Sequence, residues 1–138
     1  MNSLVRYEKV AGFLEFVGRS LLYRKLTGLI RIFRMGAVPG DPYIGAGTVV
    51  WRQPHFGQPQ DQCEIRGLKA EMNRVHWRQM AAELQREGAS RVWALRGPGK
   101  LLPYAKTDPL QPGWQYIDLA DIKANPAVPV TGFVDLRD

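Results

Sequence analysis

The stretch from Asn73 to Gly88 constrains the fold more than any other part of the chain. Asn73 is a good helix N-cap. Trp77, Met80, Ala81 and Leu84 follow at i, i+3, i+4 and i+7, and Gly88 stands where the C′ position favours a left-handed residue. This spacing predicts a helix over residues 73–87. On its N-terminal side, Cys63 and Ile65 alternate with Glu64 and Arg66, the period of a strand over 63–68. On its C-terminal side, Ser90 to Arg96 reads as a second strand, with Val92 and Ala94 on one face and Trp93 and Leu95 on the other. Apolar residues on both faces predict a central strand covered on both sides. A strand, a helix and a strand in that order form a right-handed βαβ unit, which makes the two strands parallel.

The rest of the domain is read around that unit. Thr48 to Trp51 (TVVW) is a β-branched and aromatic run, expected to pair with 63–68 across the polar loop between them. Beyond Arg96 the chain predicts a turn at Gly97–Gly99, a short helical segment from Lys100 to Lys106, a strand over 114–119 and a last strand over 128–136. Val50, Ile65, Met80, Leu84, Val92, Leu95 and Ile117 are the expected core. The fold class expected is α/β, a mixed central sheet of about five strands with one βαβ unit, preceded by an N-terminal amphipathic helical arm.

The arm is read from apolar spacing. Leu4, Val5, Val10, Phe13, Leu14, Val17, Leu21, Leu22, Leu26, Leu29, Ile30 and Phe33 recur at intervals of three and four. Gly12, Gly18 and Gly28 interrupt that run and Ser20 can cap, so two helices are expected over about 4–18 and 20–34. The Gly/Pro-rich segment 36–47 (GAVPGDPYIGAG) is then a linker, with residues 1–35 as the arm and 48–138 as the domain. Residues 1–35 carry seven basic and two acidic residues, against twelve and eleven in 36–138, so five of the six net positive charges sit on the arm. Large apolar residues interleaved with cations predict a docking surface formed by Phe13, Phe16, Arg19, Leu21, Arg24, Lys25, Arg31, Phe33 and Arg34. The expected partners are proteins of a larger assembly, with nucleic acid as the anionic alternative. The competing expectation is that the arm packs on its own sheet with its charged face merely solvated.

Several chemistries are not supported by the sequence. A lone cysteine, Cys63, forms no intramolecular disulfide, and with His55 and His76 it makes no recognisable metal spacing. Arg or Lys interrupts each apolar run of the first 35 residues, so no membrane span is expected. The start of the chain lacks the apolar region of a secretory leader, which points to the cytoplasm. There is no phosphate-binding loop of the Walker type and no nucleophile elbow. Cys63 is expected inside as a small hydrophobe, His76 as a half-exposed helix residue and His55 as a loop residue. Trp51, Trp77, Trp93 and Trp114 are expected in the core, with Trp114 the exception to look for. The Arg96-Gly97-Pro98-Gly99-Lys100 segment is expected to be a structural turn. No catalytic residue, cofactor-binding residue or metal ligand is therefore assigned.

From Thr48 to Leu119 the order strand, strand, helix, strand, short helix, strand resembles the central half of the GCN5-related N-acetyltransferase fold, with residues 64–96 corresponding to its fourth strand, third helix and fifth strand. The resemblance implies that the fifth strand splays from the fourth. It also implies that an Arg/Gln-x-x-Gly-x-Gly/Ala loop before the helix binds the pyrophosphate of acetyl-CoA, and that Tyr104 corresponds to the general acid. Here the loop reads Arg66-Gly67-Leu68-Lys69-Ala70-Glu71, with the motif's glycine positions not met and Glu71 placing an acid close by. The chain resembles the small acetyltransferase-like proteins that some phages carry in their virions. The expected function is accordingly a non-catalytic structural protein with an acetyltransferase-like core, acting in a virion or similar complex. The alternatives are an acyl-CoA-dependent N-acetyltransferase and a nucleic-acid-binding accessory protein.

Overall fold

A computed structural model describes residues 4–55, 57–96, 101–124 and 133–135. The chain opens with two 13-residue strands, β1 (Val5–Val17) and β2 (Ser20–Ile32), followed by β3 (Gly45–Trp51) and β4 (Gln62–Arg66). A short β5 (Glu71–Asn73) leads into α1 (Arg74–Arg86), then β6 (Arg91–Leu95), β7 (Lys106–Thr107), β8 (Trp114–Asp118), α2 (Leu119–Ala124) and β9 (Phe133–Asp135). Seven strands make one mixed sheet in the order β1-β2-β3-β4-β6-β8-β7, and β5 pairs with β9 in a separate two-stranded ladder. The βαβ unit is present: β4 and β6 are parallel neighbours and the other pairs of the large sheet are antiparallel.

The N-terminal segment is where expectation and structure part. Residues 5–32 form a β-hairpin and not two helices. The two-residue turn Gly18-Arg19 joins Val17 to its partner Ser20, with Gly18 at a φ of 62°. A positive φ at the first central position is what a type II′ hairpin turn requires, and glycine supplies it without a Cβ clash. β-branched and aromatic residues (Val5, Tyr7, Val10, Phe13, Phe16, Val17, Tyr23, Thr27, Ile30, Ile32) favour the extended chain. With these strands added, the molecule is a sheet protein with two short helices among the described residues, and the balanced α/β class with a helical arm is corrected to that.

The first strands also belong to the core. Val5, Ile30 and Ile32 are fully buried and pack in one cluster with Val49, Trp51, Cys63, Met80 and Leu84. β2 pairs with β3 only from Ile32–Gly45 to Thr27–Val50. The hairpin therefore has a base woven into the sheet and a distal half, residues 10–26, that continues beyond it. Two back-to-back bulges, at Val10 on β1 and Leu26 on β2, mark the junction.

Helix α1 covers one face of the sheet, burying His76, Trp77, Met80, Ala81 and Leu84. Its start is fixed as expected by Asn73, whose Oδ1 accepts from the Val75 and His76 amides at 2.9 and 3.1 Å. Its end passes into Gly88 at a φ of 95°. His76 is not half-exposed. It is 2% exposed, its Nδ1 accepts from the Asn73 amide at 3.1 Å, and its Nε2 lies 2.6 Å from the Phe33 carbonyl oxygen. The connection from β4 to β5 crosses the helix-side face of β3, where a Cβ on Gly45 would stand 2.6 Å from Ala70 and one on Gly47 2.8 Å from Leu68. Glycine is needed there for close approach.

The opposite face of β4, β6 and β8 carries cations stacked on rings. Arg52 lies 4.1 Å from the Trp93 ring centre and 5.1 Å from that of Trp114, and Arg91 lies 4.1 Å from that of Tyr116. Trp93 is buried under these guanidinium groups. Five of the seven expected core residues are buried or half-buried on the α1 face, whereas Val50 and Leu95 point the other way because Val49 and Ala94 take the inward positions. The segment expected as a helix over 100–106 ends instead in a turn and β7, with Lys100 outside the described residues. The Gly97–Gly99 turn and most of the last expected strand also fall outside them, and β9 joins β5 instead of the large sheet.

Leu84 is fully buried at the centre of the helix contact. Leu84→Ala should cost about 2–5 kcal/mol, read as a lower midpoint in urea unfolding with an unchanged slope. His76→Ala should cost about 2–4 kcal/mol, because it leaves both a cavity and two polar backbone groups without their partner.

Candidate functional site

The distal hairpin is the first candidate. Across it, Leu14 faces Tyr23 and Phe16 faces Leu21, and these four share the side on which α1 lies. The helix ends at Arg86, so nothing among the described residues covers them: Phe16 is 78% exposed, Leu14 62%, Leu21 53% and Tyr23 51%. Phe13 and Leu22 are exposed on the opposite side, so the finger is apolar on both faces, with Arg19 at its tip.

The nine docking residues expected from the sequence divide into three groups. Phe13, Phe16, Arg19 and Leu21 come together on the distal finger. Arg24 and Lys25 lie mid-hairpin and are engaged internally. Arg24 is 8% exposed and its Nε donates to Glu15, while Lys25 donates to the Glu87 carbonyl and sits 3.7 Å from the Trp51 ring centre. Burial lowers the Lys25 pKa below the ordinary lysine value, against the opposing pull of Glu87. Arg31, Phe33 and Arg34 stand at the base: Arg31 bonds Glu8 at 2.8 Å, Arg34 bonds Asp41 at 2.9 Å, and Phe33 is buried beneath Arg6. Lys9 also faces Glu87 at 3.9 Å. Four of the arm's seven cations thus have carboxylate partners, Glu8 and Glu15 within the arm and Asp41 and Glu87 outside it.

Leu14, Leu22 and Tyr23 are exposed docking candidates that the sequence reading missed. Pairing residues outward from Gly18-Arg19 (17 with 20, 16 with 21, 14 with 23) would have found them. The helical period assigned instead hid that symmetry.

The second candidate is a cleft. β4 and β6 pair only through Gln62–Arg91, Cys63–Val92 and Glu64–Trp93, although both strands run further. Where the ladder ends, a cavity of about 100 Å³ opens on the helix side, lined by Ile65, Leu68, Trp77, Met80, Ala94 and Gln115. Trp77 Nε1 is buried there with no hydrogen-bond partner among the described residues, as is the Tyr104 hydroxyl in the following loop. Tyr104 has a φ of 62°, a strained value for a residue with a large side chain. Gln115 holds this loop by accepting from the Leu102 amide at 3.0 Å. The start of α1, which an anionic ligand would use, has its amides at Val75 and His76 already bonded to Asn73, and β5 separates it from Gly67.

No described group of His, Cys, Asp and Glu could hold a metal ion, and no described helix is long and apolar enough to cross a membrane. His55 is exposed in the loop after β3. Cys63 is fully buried, and burial pushes its thiol up to about 12, with Lys25 pulling the other way. In comparisons with known proteins the chain matches no family model, no curated protein and no solved structure.

A thiolate is the reactive form, so Cys63 should be silent in the folded protein. At pH 8 a maleimide should label well under a tenth of the chains in the time that labels nearly all of them in guanidinium. Rapid native labelling would show that the strand is open around Cys63.

Proposed function

We propose that this chain is a non-catalytic assembly protein with an acetyltransferase-like core, a component of a phage virion or a comparable complex, and that it docks through the distal β1–β2 hairpin. The observation that carries the reading is the finger itself: Leu14, Phe16, Leu21 and Tyr23 stand in solvent on one face of a hairpin whose base is locked into the core. Contiguous exposed apolar surface of this kind marks interaction sites. Covering such side chains contributes roughly 1.5–3 kcal/mol each. The docking partner is a protein, reached in the host cytoplasm or within the particle. Nucleic acid is disfavoured, because Arg24, Arg31 and Arg34 already have carboxylate partners.

An acyl-CoA-dependent N-acyltransferase is the second reading. The parting of β4 from β6, the cavity beside Trp77 and the Tyr104 hydroxyl favour it. The occupied amides at the start of α1 weigh against it, since the pyrophosphate of the cofactor would need such donors.

Two measurements separate these readings. Co-expressed with the products of its neighbouring genes, the full-length chain should elute in a large complex. Phe16→Ser/Leu21→Ser should lose at least tenfold in incorporation while keeping its circular dichroism spectrum, and normal incorporation of this variant would overturn the docking reading. Acetyl-CoA at millimolar concentration should leave the melting temperature unchanged, because only a ligand that binds the native state raises it. A rise of several degrees accompanied by acetyl transfer would establish the enzyme instead.

A further inference from the structure

The outer edge of β1 differs between its two halves. β1 is the terminal strand of the seven-stranded sheet, and among the described residues no strand pairs with the outward edge of residues 11–17. Residues 6–9 carry Arg6, Glu8 and Lys9, and the bulge at Val10 follows them, which are devices that keep a sheet edge from pairing with another chain. Residues 11–17 read Ala-Gly-Phe-Leu-Glu-Phe-Val, with no lysine, no proline and no bulge beyond Ala11. Their one charge, Glu15, is matched by Arg24. An edge segment that carries Phe13, Leu14, Phe16 and Val17 with little net charge is open to pairing with another chain.

We infer that this distal edge pairs with the same edge of a second copy of the chain, antiparallel about a two-fold axis at Leu14. Resting on the reading of the hairpin as the docking element, it names that element's first partner. A two-fold interface sets each residue against its own surface, so like charges must not meet across the axis. About Leu14 the condition holds: Leu14 meets Leu14, Phe13 meets Glu15, Gly12 meets Phe16 and Ala11 meets Val17. Any axis nearer the base brings Lys9 and the Val10 bulge into the ladder. Edge pairing covers the strand backbone and only the flanks of Phe13, Leu14 and Phe16 on each copy, which leaves the interface below the roughly 1,000 Å² of a stable specific one and fits a weak, reversible dimer. Pairing also joins the two Leu14–Tyr23–Phe16–Leu21 faces into one apolar surface, twice the size a single chain offers the assembly.

Cysteine placement tests both partner and register. Directly opposed residues in an antiparallel pair have Cα atoms about 4.5–5.5 Å apart, within disulfide reach. Phe16 and its own image are displaced by four residues, roughly 13 Å. Leu14 and Phe16 are exposed, so both cysteine variants should fold, and buried Cys63 leaves the new thiol as the reactive one. Under mild oxidation of the full-length protein at about 100 µM, Leu14→Cys should become covalent dimer at least tenfold faster than Phe16→Cys. Sedimentation should show the wild type in monomer–dimer exchange and Leu14→Lys as monomer with an unchanged circular dichroism spectrum. Equal oxidation of the two cysteine variants would overturn the register and with it the proposal. A wild type that stays monomeric would overturn the proposal too, and if it still enters the large complex the docking reading survives on its own.

Discussion

One buried imidazole ties the parts of this fold together. His76 lies in the first turn of α1, accepts from the backbone of the capping Asn73 and reaches the carbonyl of Phe33, where the chain leaves β2. The contact links residues 43 apart in sequence in a site with almost no solvent. Neutral imidazole suits it, since one nitrogen must accept while the other donates. The contact ties the first turn of the helix to the end of β2, beside the buried cluster that holds Leu84, Ile30 and Ile32.

The parts legible in the sequence were those whose signals are local and redundant. Asn73, the apolar stripe and Gly88 each marked the helix independently, and the helix length in turn required parallel strands on either side. The N-terminal hairpin was illegible for identifiable reasons. Its distal half is apolar on both faces, so the alternation of a half-buried strand is missing. The bulges at Val10 and Leu26 then shift the phase of both strands between base and tip. What remains is a set of leucines and phenylalanines whose spacing imitates a helix. The β-branched content and the three glycines of the same stretch carried the correct signal, but tertiary pairing decides between such readings. Val50 and Leu95 failed for a smaller reason: in a run apolar on both faces, nothing local says which residue turns inward.

The cleft shows how one feature can make a structure legible and still limit its chemistry. Asn73 announced the helix because its side chain accepts the first free amides. For that same reason those amides are occupied and closed to an anionic ligand at the start of α1. The nine expected docking residues fared unevenly because sequence placed the cations on the arm but could not show Glu15, Glu87 or Asp41 waiting beside them.

The order in which the strands meet their cover has a consequence for synthesis. The hairpin closes through a two-residue turn, an event of microseconds, and the N-terminal end of a chain leaves the ribosome first. Ile30 and Ile32, however, are covered by residues of β3 and α1 that emerge 15 to more than 50 positions later. At translation rates of about 5–20 residues per second the nascent hairpin shows its sticky inner face for seconds. Arg24, Lys25 and Arg31 place positive charge on β2 beside that face through this interval, the device by which charged residues keep an apolar strand from aggregating. Charge carried on the strand itself thus protects the unfinished chain until β3 and α1 arrive.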